Sequence, residues 1–119
     1  MKPGQMEPNE LEAAILERLA GQEPSLCESV RRLHVLSREY TGVGSFTRFL
    51  CKEPGESKEQ IVGLEGLIHM PKVNNGMGAV LYCKGAQPEC LELFTYGDDH
   101  WDGTYLGFSI EQSGTVRSS

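Results

Sequence analysis

The apolar and polar positions change period twice along the chain. From Asn9 the spacing is helical. Leu11, Ala14, Ile15 and Leu19 fall on one stripe, Asn9 is placed as N-cap, Glu12 sits three residues later in capping-box position, and Gly21 supplies a stop. Pro24 restarts the chain. Ser25 and Glu28 repeat the S-x-x-E box, and Leu26, Val30 and Leu33 predict a second buried stripe with Arg31 and Arg32 toward water. Helices this short have little stability of their own, so they are expected to pack on a sheet. Near His34 the period becomes that of a strand. Val35–Thr41 is broken by Gly42-Val43-Gly44. Ser45–Lys52 follows, its imperfect alternation predicting a bulge or apolar neighbours on both faces. After the polar stretch Glu53–Gln60, Ile61–Met70 places Val62, Leu64, Ile68 and Met70 on one face, and Pro71 ends it.

The stretch from Asn74 to Ile110 organises the rest. Asn75-Gly76 is a hairpin-turn signal, because both residues tolerate positive φ. Met77–Lys84 goes out, Gly85-Ala86-Gln87-Pro88 turns, and Glu89–Tyr96 returns. After a polar loop, Thr104–Ile110 goes out again. The order predicts an α+β fold: two N-terminal helices packed on a twisted antiparallel sheet of five or six strands, largely a meander. A coiled sheet closing toward a half-barrel is the alternative. Residues 1–119 read as a single domain, with 1–8 and 113–119 as loose tails. A four-residue loop at Gly85–Pro88 would set Lys84 opposite Glu89, Cys83 opposite Cys90, Leu81 opposite Glu92, Ala79 opposite Phe94 and Met77 opposite Tyr96. That register leaves Glu92 as a carboxylate among Leu81, Cys90 and Phe94.

Charge sharpens this picture. The net charge is −6, yet residues 85–116 hold six acidic side chains and no Lys or Arg, while the remainder carries 11 of each sign. A surface of that kind repels phosphate backbones and suits a basic protein partner or a cation, so nucleic acid is not expected. A solvated, solubilising face is the plainer explanation. No apolar run approaches the ~20 residues of a membrane span, and the start (Met-Lys-Pro-Gly) has no signal-peptide core, so a cytoplasmic protein is expected. Cys27, Cys51, Cys83 and Cys90 form no C-x-x-C pair, which argues against structural zinc, and the expected compartment argues against disulfides.

The segment GAVLYCKGAQPECLELFTYGDDHW resembles a group of small bacterial proteins of uncharacterised function, which share its strand, Gly turn, Leu-Glu strand and aromatic-Tyr-acidic-Trp ending. SREYTGVGSFTRF extends the likeness more weakly, to about half the chain. Where that group tends to carry a charge after the turn, this chain has Ala86 and Gln87. The resemblance implies a small cytosolic bacterial domain and brings no activity or catalytic residues with it.

Candidate chemistry gathers in Tyr96-Gly97-Asp98-Asp99-His100-Trp101-Asp102-Gly103. Three carboxylates and an imidazole are cation ligands by type, but the spacing is not that of an EF-hand, and Asp-Gly turn chemistry accounts for Asp98, Asp102 and Gly103 without a metal. Trp101 reads either as a lid folded over the sheet edge or as an exposed anchor for a partner. A Cys/His nucleophile (Cys83 or Cys90 with His69 or His100) and a carboxylate pair (Glu92 with Glu65) have no local signature. The expectation is a non-enzymatic protein-interaction domain, accessory or immunity-like, without a cofactor, binding through Asp98, Asp99, His100, Trp101, Asp102, Glu92 and Tyr96. The rivals are a small enzyme or ligand-binding domain on the Glu92 face, and a structural homo-oligomer joined through an edge strand.

Overall fold

A computed structural model of the chain describes residues 6–50 and 58–111. Helix α1 spans Glu10–Gln22, a 3-10 turn Pro24–Leu26, and helix α2 Cys27–Val30. Among the described residues seven strands follow: β1 (Val35–Tyr40), β2 (Gly44–Phe49), β3 (Glu59–Gly63), β4 (Ile68–Met70), β5 (Val73–Lys84), β6 (Gln87–Thr95) and β7 (Ser109–Ile110). They form one sheet in the order β1-β2-β6-β5-β4-β7, with β3 also on β5, and every pairing is antiparallel. The fold is α+β.

The capping box opens α1 as its sequence requires. The Asn9 side chain accepts from the Glu12 amide at 2.8 Å, and the Glu12 carboxylate accepts from the Asn9 amide at 2.9 Å. Leu11, Ile15, Leu16 and Leu19 are buried in one cluster with Val35, Phe49, Met77, Leu81, Leu91 and Leu93 of the sheet. Gly21 does not stop the helix, which continues to Gln22 and ends at Glu23 without a left-handed cap. The second predicted helix is one 3-10 turn and one α-turn. Ser25 donates to the Glu23 carboxylate at 3.0 Å instead of capping, so the second box never forms. Leu26 and Leu33 still reach the core, but α2 itself buries no side chain. Residues 6–8 are not loose: Met6 bridges Val35, whose amide donates to the Met6 carbonyl at 2.7 Å, and Arg38 donates to the Glu7 carbonyl at 3.1 Å. The remaining predicted tail residues, 1–5 and 113–119, lie outside the described residues, as do Cys51, Lys52 and most of the Glu53–Gln60 loop.

The sheet is a meander only over β4–β5–β6. Hairpins β1–β2 and β5–β6 stand side by side through β2–β6, and β7 pairs with β4 at the far edge. Only Ser109–Ile110 of the predicted last strand is a strand. The segment before it crosses the end of the sheet, with the Trp101 amide donating to the Gly42 carbonyl of the β1–β2 turn at 2.9 Å. The predicted Ile61–Met70 strand is interrupted after Gly63, where Gly66 takes φ 98; its halves, β3 and β4, share one edge of β5. Asn75-Gly76 is no hairpin turn. Pro71-Lys72 makes that turn, Lys72 at φ 72, and Asn75-Gly76 lies inside β5 where its register with β4 shifts. The left-handed tolerance that marks a turn serves a bulge equally well.

The central hairpin is one residue out of phase with the sequence expectation. Its turn is Gly85-Ala86, pairing Lys84 with Gln87 and Cys83 with Pro88. The ladder then skips Glu89, so Tyr82 faces Cys90, Leu81 faces Leu91, Val80 faces Glu92, Ala79 faces Leu93 and Gly78 faces Phe94. Strand side chains alternate, so this single skip decides which face each residue joins. Met77, Ala79, Leu81, Cys83, Leu91 and Leu93 form the inner face under α1. Glu92 lies on the opposite face, away from Leu81. Cys83 and Cys90 lie on different faces and are free thiols.

Candidate functional site

The inner face is closed by a network that sequence patterning missed. Glu12, one residue past Leu11, is 3% exposed. Arg38 of β1 grips its carboxylate with two hydrogen bonds of 2.7 Å, and the Thr47 hydroxyl of β2 donates to it at 2.8 Å. Burial alone pushes the Glu12 pKa up; the Arg38 guanidinium, the Asn9 amide and the Thr47 hydroxyl outweigh it and hold the group below the ordinary glutamate value. Arg38 is thereby committed inward, and Glu39 next to it points to the outer face.

The outer face is built in cross-strand rows. Glu39, Phe46, Glu92, Val80 and Gly63 follow one another from β1 through β2, β6 and β5 to β3. The next row is Ser37, Arg48, Cys90, Tyr82 and Ile61. The Tyr82 hydroxyl donates to Glu92 Oε1 at 2.9 Å, fixing the carboxylate. That hydrogen bond raises the Tyr82 pKa, since losing the proton would set two anions together. Gly78 lets the ring of Phe94 lie over β5, because a Cβ there would come within 2.7 Å of ring atoms. Tyr96 then packs edge-on against Phe94, centroids 5.4 Å apart. Ile61 is 64% and Tyr96 43% exposed. Around Ile61 and Tyr82 the surface dips into a depression of about 380 Å³ that also touches Phe46, Arg48, Glu59 and Cys90. The buried side chains of α1 and the 3-10 turn belong to the inner cluster, so among the described residues no helix covers this face. Arg48 makes no ion pair among the described residues.

The acidic loop spends its polar groups on its own shape. Asp99 Oδ2 accepts from the Asn75 amide at 2.7 Å, and its carbonyl accepts from the Thr95 hydroxyl at 2.9 Å. Asp102 Oδ1 accepts from the Thr104 amide at 2.9 Å, which with the Thr104 hydroxyl holds its carboxyl below the usual range. Asp98, His100 and Asp102 are exposed. Trp101 is 6% exposed and belongs to the core cluster; its indole N–H donates to the Thr104 carbonyl at 2.9 Å, and its ring meets Tyr40 edge-on at 5.8 Å. Of its two readings, the geometry is that of the lid. Among the described residues no three His, Cys, Asp or Glu side chains gather to hold a metal ion. Burial pushes the Cys83 thiol up to about 11 and raises that of Cys90, the opposite of an activated nucleophile. Thus Glu92 and Tyr96 share the outer face, the loop carboxylates stand at its end, and Trp101 faces inward.

Among the described residues no helix is long and apolar enough to cross a membrane. Comparison with family models, with curated proteins and with solved structures finds no match to this chain.

Proposed function

We propose that this chain is a non-enzymatic protein-interaction domain, bacterial and cytoplasmic, of the accessory or immunity-like kind, which docks one basic protein partner on the outer face of its sheet. The observation that carries the reading is the composition of that face. Phe46, Ile61, Val80, Tyr82, Phe94 and Tyr96 stand on a rigid sheet with no helix among the described residues over them. A contiguous apolar and aromatic surface rimmed by polar groups suits a partner, and Tyr and Phe are enriched in such surfaces. Its charges choose the partner's sign. Glu39, Glu59, Glu89 and Glu92 outnumber Arg48 and Lys84, and Asp98, Asp99 and Asp102 extend the negative field beyond Tyr96. A second copy would bring like charges together; a basic protein would not.

Photo-crosslinking in the source cell tests this. A photoreactive residue at Ile61 or Tyr82 is expected to capture a single basic protein, with yield falling as salt rises, while the same residue at Glu17 of α1 captures none. Capture from α1 alone, of an acidic protein, or of a second copy overturns the reading. The depression beside Ile61 and Tyr82 favours one rival, a small-ligand domain on the Glu92 face. That rival predicts no crosslinked protein from either outer-face position.

A further inference from the structure

Resting on that reading, we propose that the row Glu39–Phe46–Glu92 is a subsite for one arginine side chain of the partner, its guanidinium laid over the Phe46 ring between the two carboxylates. The row places Glu39 and Glu92 on the strands either side of Phe46, hence about 10 Å apart at the usual strand spacing. A planar guanidinium stacks on an aromatic face and donates in its own plane to carboxylates on both sides, which a lysine ammonium cannot do with one geometry. The acceptors are prepared. Glu92 is held by the Tyr82 hydroxyl at 2.9 Å through Oε1, leaving Oε2 for an incoming donor. Glu39 cannot turn inward to Arg38, because Glu12 already takes both of that guanidinium's inward bonds at 2.7 Å. Val80, the next residue of the row beyond Glu92, offers apolar surface for the arginine stem. Arg48, one row away and without an ion pair among the described residues, stands where a carboxylate or carbonyl next to the partner's arginine would meet it. This is more specific than a diffuse acidic surface: it requires one cation at one ring.

The test uses the whole chain, 15N-labelled, titrated with the amide of N-acetyl-arginine and in parallel with that of N-acetyl-lysine. The expected result is amide shift changes centred on Phe46 and Glu92, with arginine binding more tightly than lysine. Glu92→Gln and, separately, Phe46→Leu should each weaken arginine binding about tenfold, the change that ~1.4 kcal/mol brings, with melting temperatures near that of the parent. Glu17→Gln, on α1, should leave it unchanged. Shift changes confined to residues 97–103, equal affinity for the two amides, or indifference to Glu92→Gln would each overturn the subsite. Failure here and failure of the docking face are distinguishable. If the subsite fails while Ile61 and Tyr82 still crosslink the basic partner, the docking face stands and only its arginine reader is lost. If those crosslinks also vanish, both fall.

Discussion

At the scale of single residues, Glu12 shows how one side chain serves two levels of structure. Its capping role could be read from Asn9 three positions earlier. Its second role could not, because Arg38 lies 26 and Thr47 35 residues away, and no local pattern joins them. Losing one partner of such a pair strands the other. Glu12→Gln is expected to lower unfolding free energy by roughly 3–5 kcal/mol, nearer the lower figure since the Arg38 side chain keeps 19% exposure. Thr47→Val should cost less, about 1.5–3 kcal/mol for a bond to a charged group. Denaturant melts of the two variants check both. The pH dependence has a definite sign. A carboxylate whose pKa is lowered on folding contributes stability above its unfolded pKa, near 4.3, and loses it as pH falls through the lower folded value. The parent should therefore lose stability more steeply than Glu12→Gln below about pH 4. The thiols give a second prediction. In native protein with Cys51→Ser, exposed Cys27 should react with a thiol reagent within the mixing period, and Cys83 and Cys90 only on unfolding. Fast labelling of Cys83 would mean that its strand is not held in the core.

At the scale of elements, the order of helices before strands and most strand positions followed from periodicity, and the α+β class with them. Strand order did not. The alternation in β2 and β6 shows only that both strands have two apolar faces. It does not say that they are neighbours, and that contact joins the two hairpins. The glycines mark it after the fact. A Cβ at Gly44 would lie 1.9 Å from the Leu93 carbonyl oxygen of β6, whereas at Gly78 it would meet the Tyr96 hydroxyl and the ring of Phe94. Backbone cannot yield as side chains can. Gly44→Ala is expected to cost at least the 1–3 kcal/mol typical of overpacking, and Gly78→Ala less, as its rings swing outward. Thermal melts of the two variants rank them, and equal losses would contradict the β2–β6 pairing distance. The candidate site was readable in part. Glu92 and Tyr96 stood out by composition, while Phe46, Val80, Tyr82 and Ile61 joined them only once the register was known.

At the scale of the whole molecule, the sheet separates a sealed side from an open one, and Trp101 reports on the sealed side. As the single Trp of the chain, it should emit at short wavelength in the native state, resist quenching by iodide, and shift to the red on unfolding. Trp101→Ala should cost about 3–5 kcal/mol, the usual range for removing a large buried aromatic. A quenchable, red-emitting native state would place the indole outside and reopen its role as an anchor. The ladder that separates these two sides skips one residue. Glu89 is surplus to the alternation: without it, Pro88 opposite Cys83 would run straight on to Cys90 opposite Tyr82, with Leu91 and Leu93 still in the core and Glu92 still outside. Deleting Glu92, inside the regular part of the ladder, would instead turn Leu93 and the strand residues after it over to the other face. Soluble yield should therefore survive the loss of Glu89 and fall with the loss of Glu92, and equal yields from the two deletions would contradict the skip.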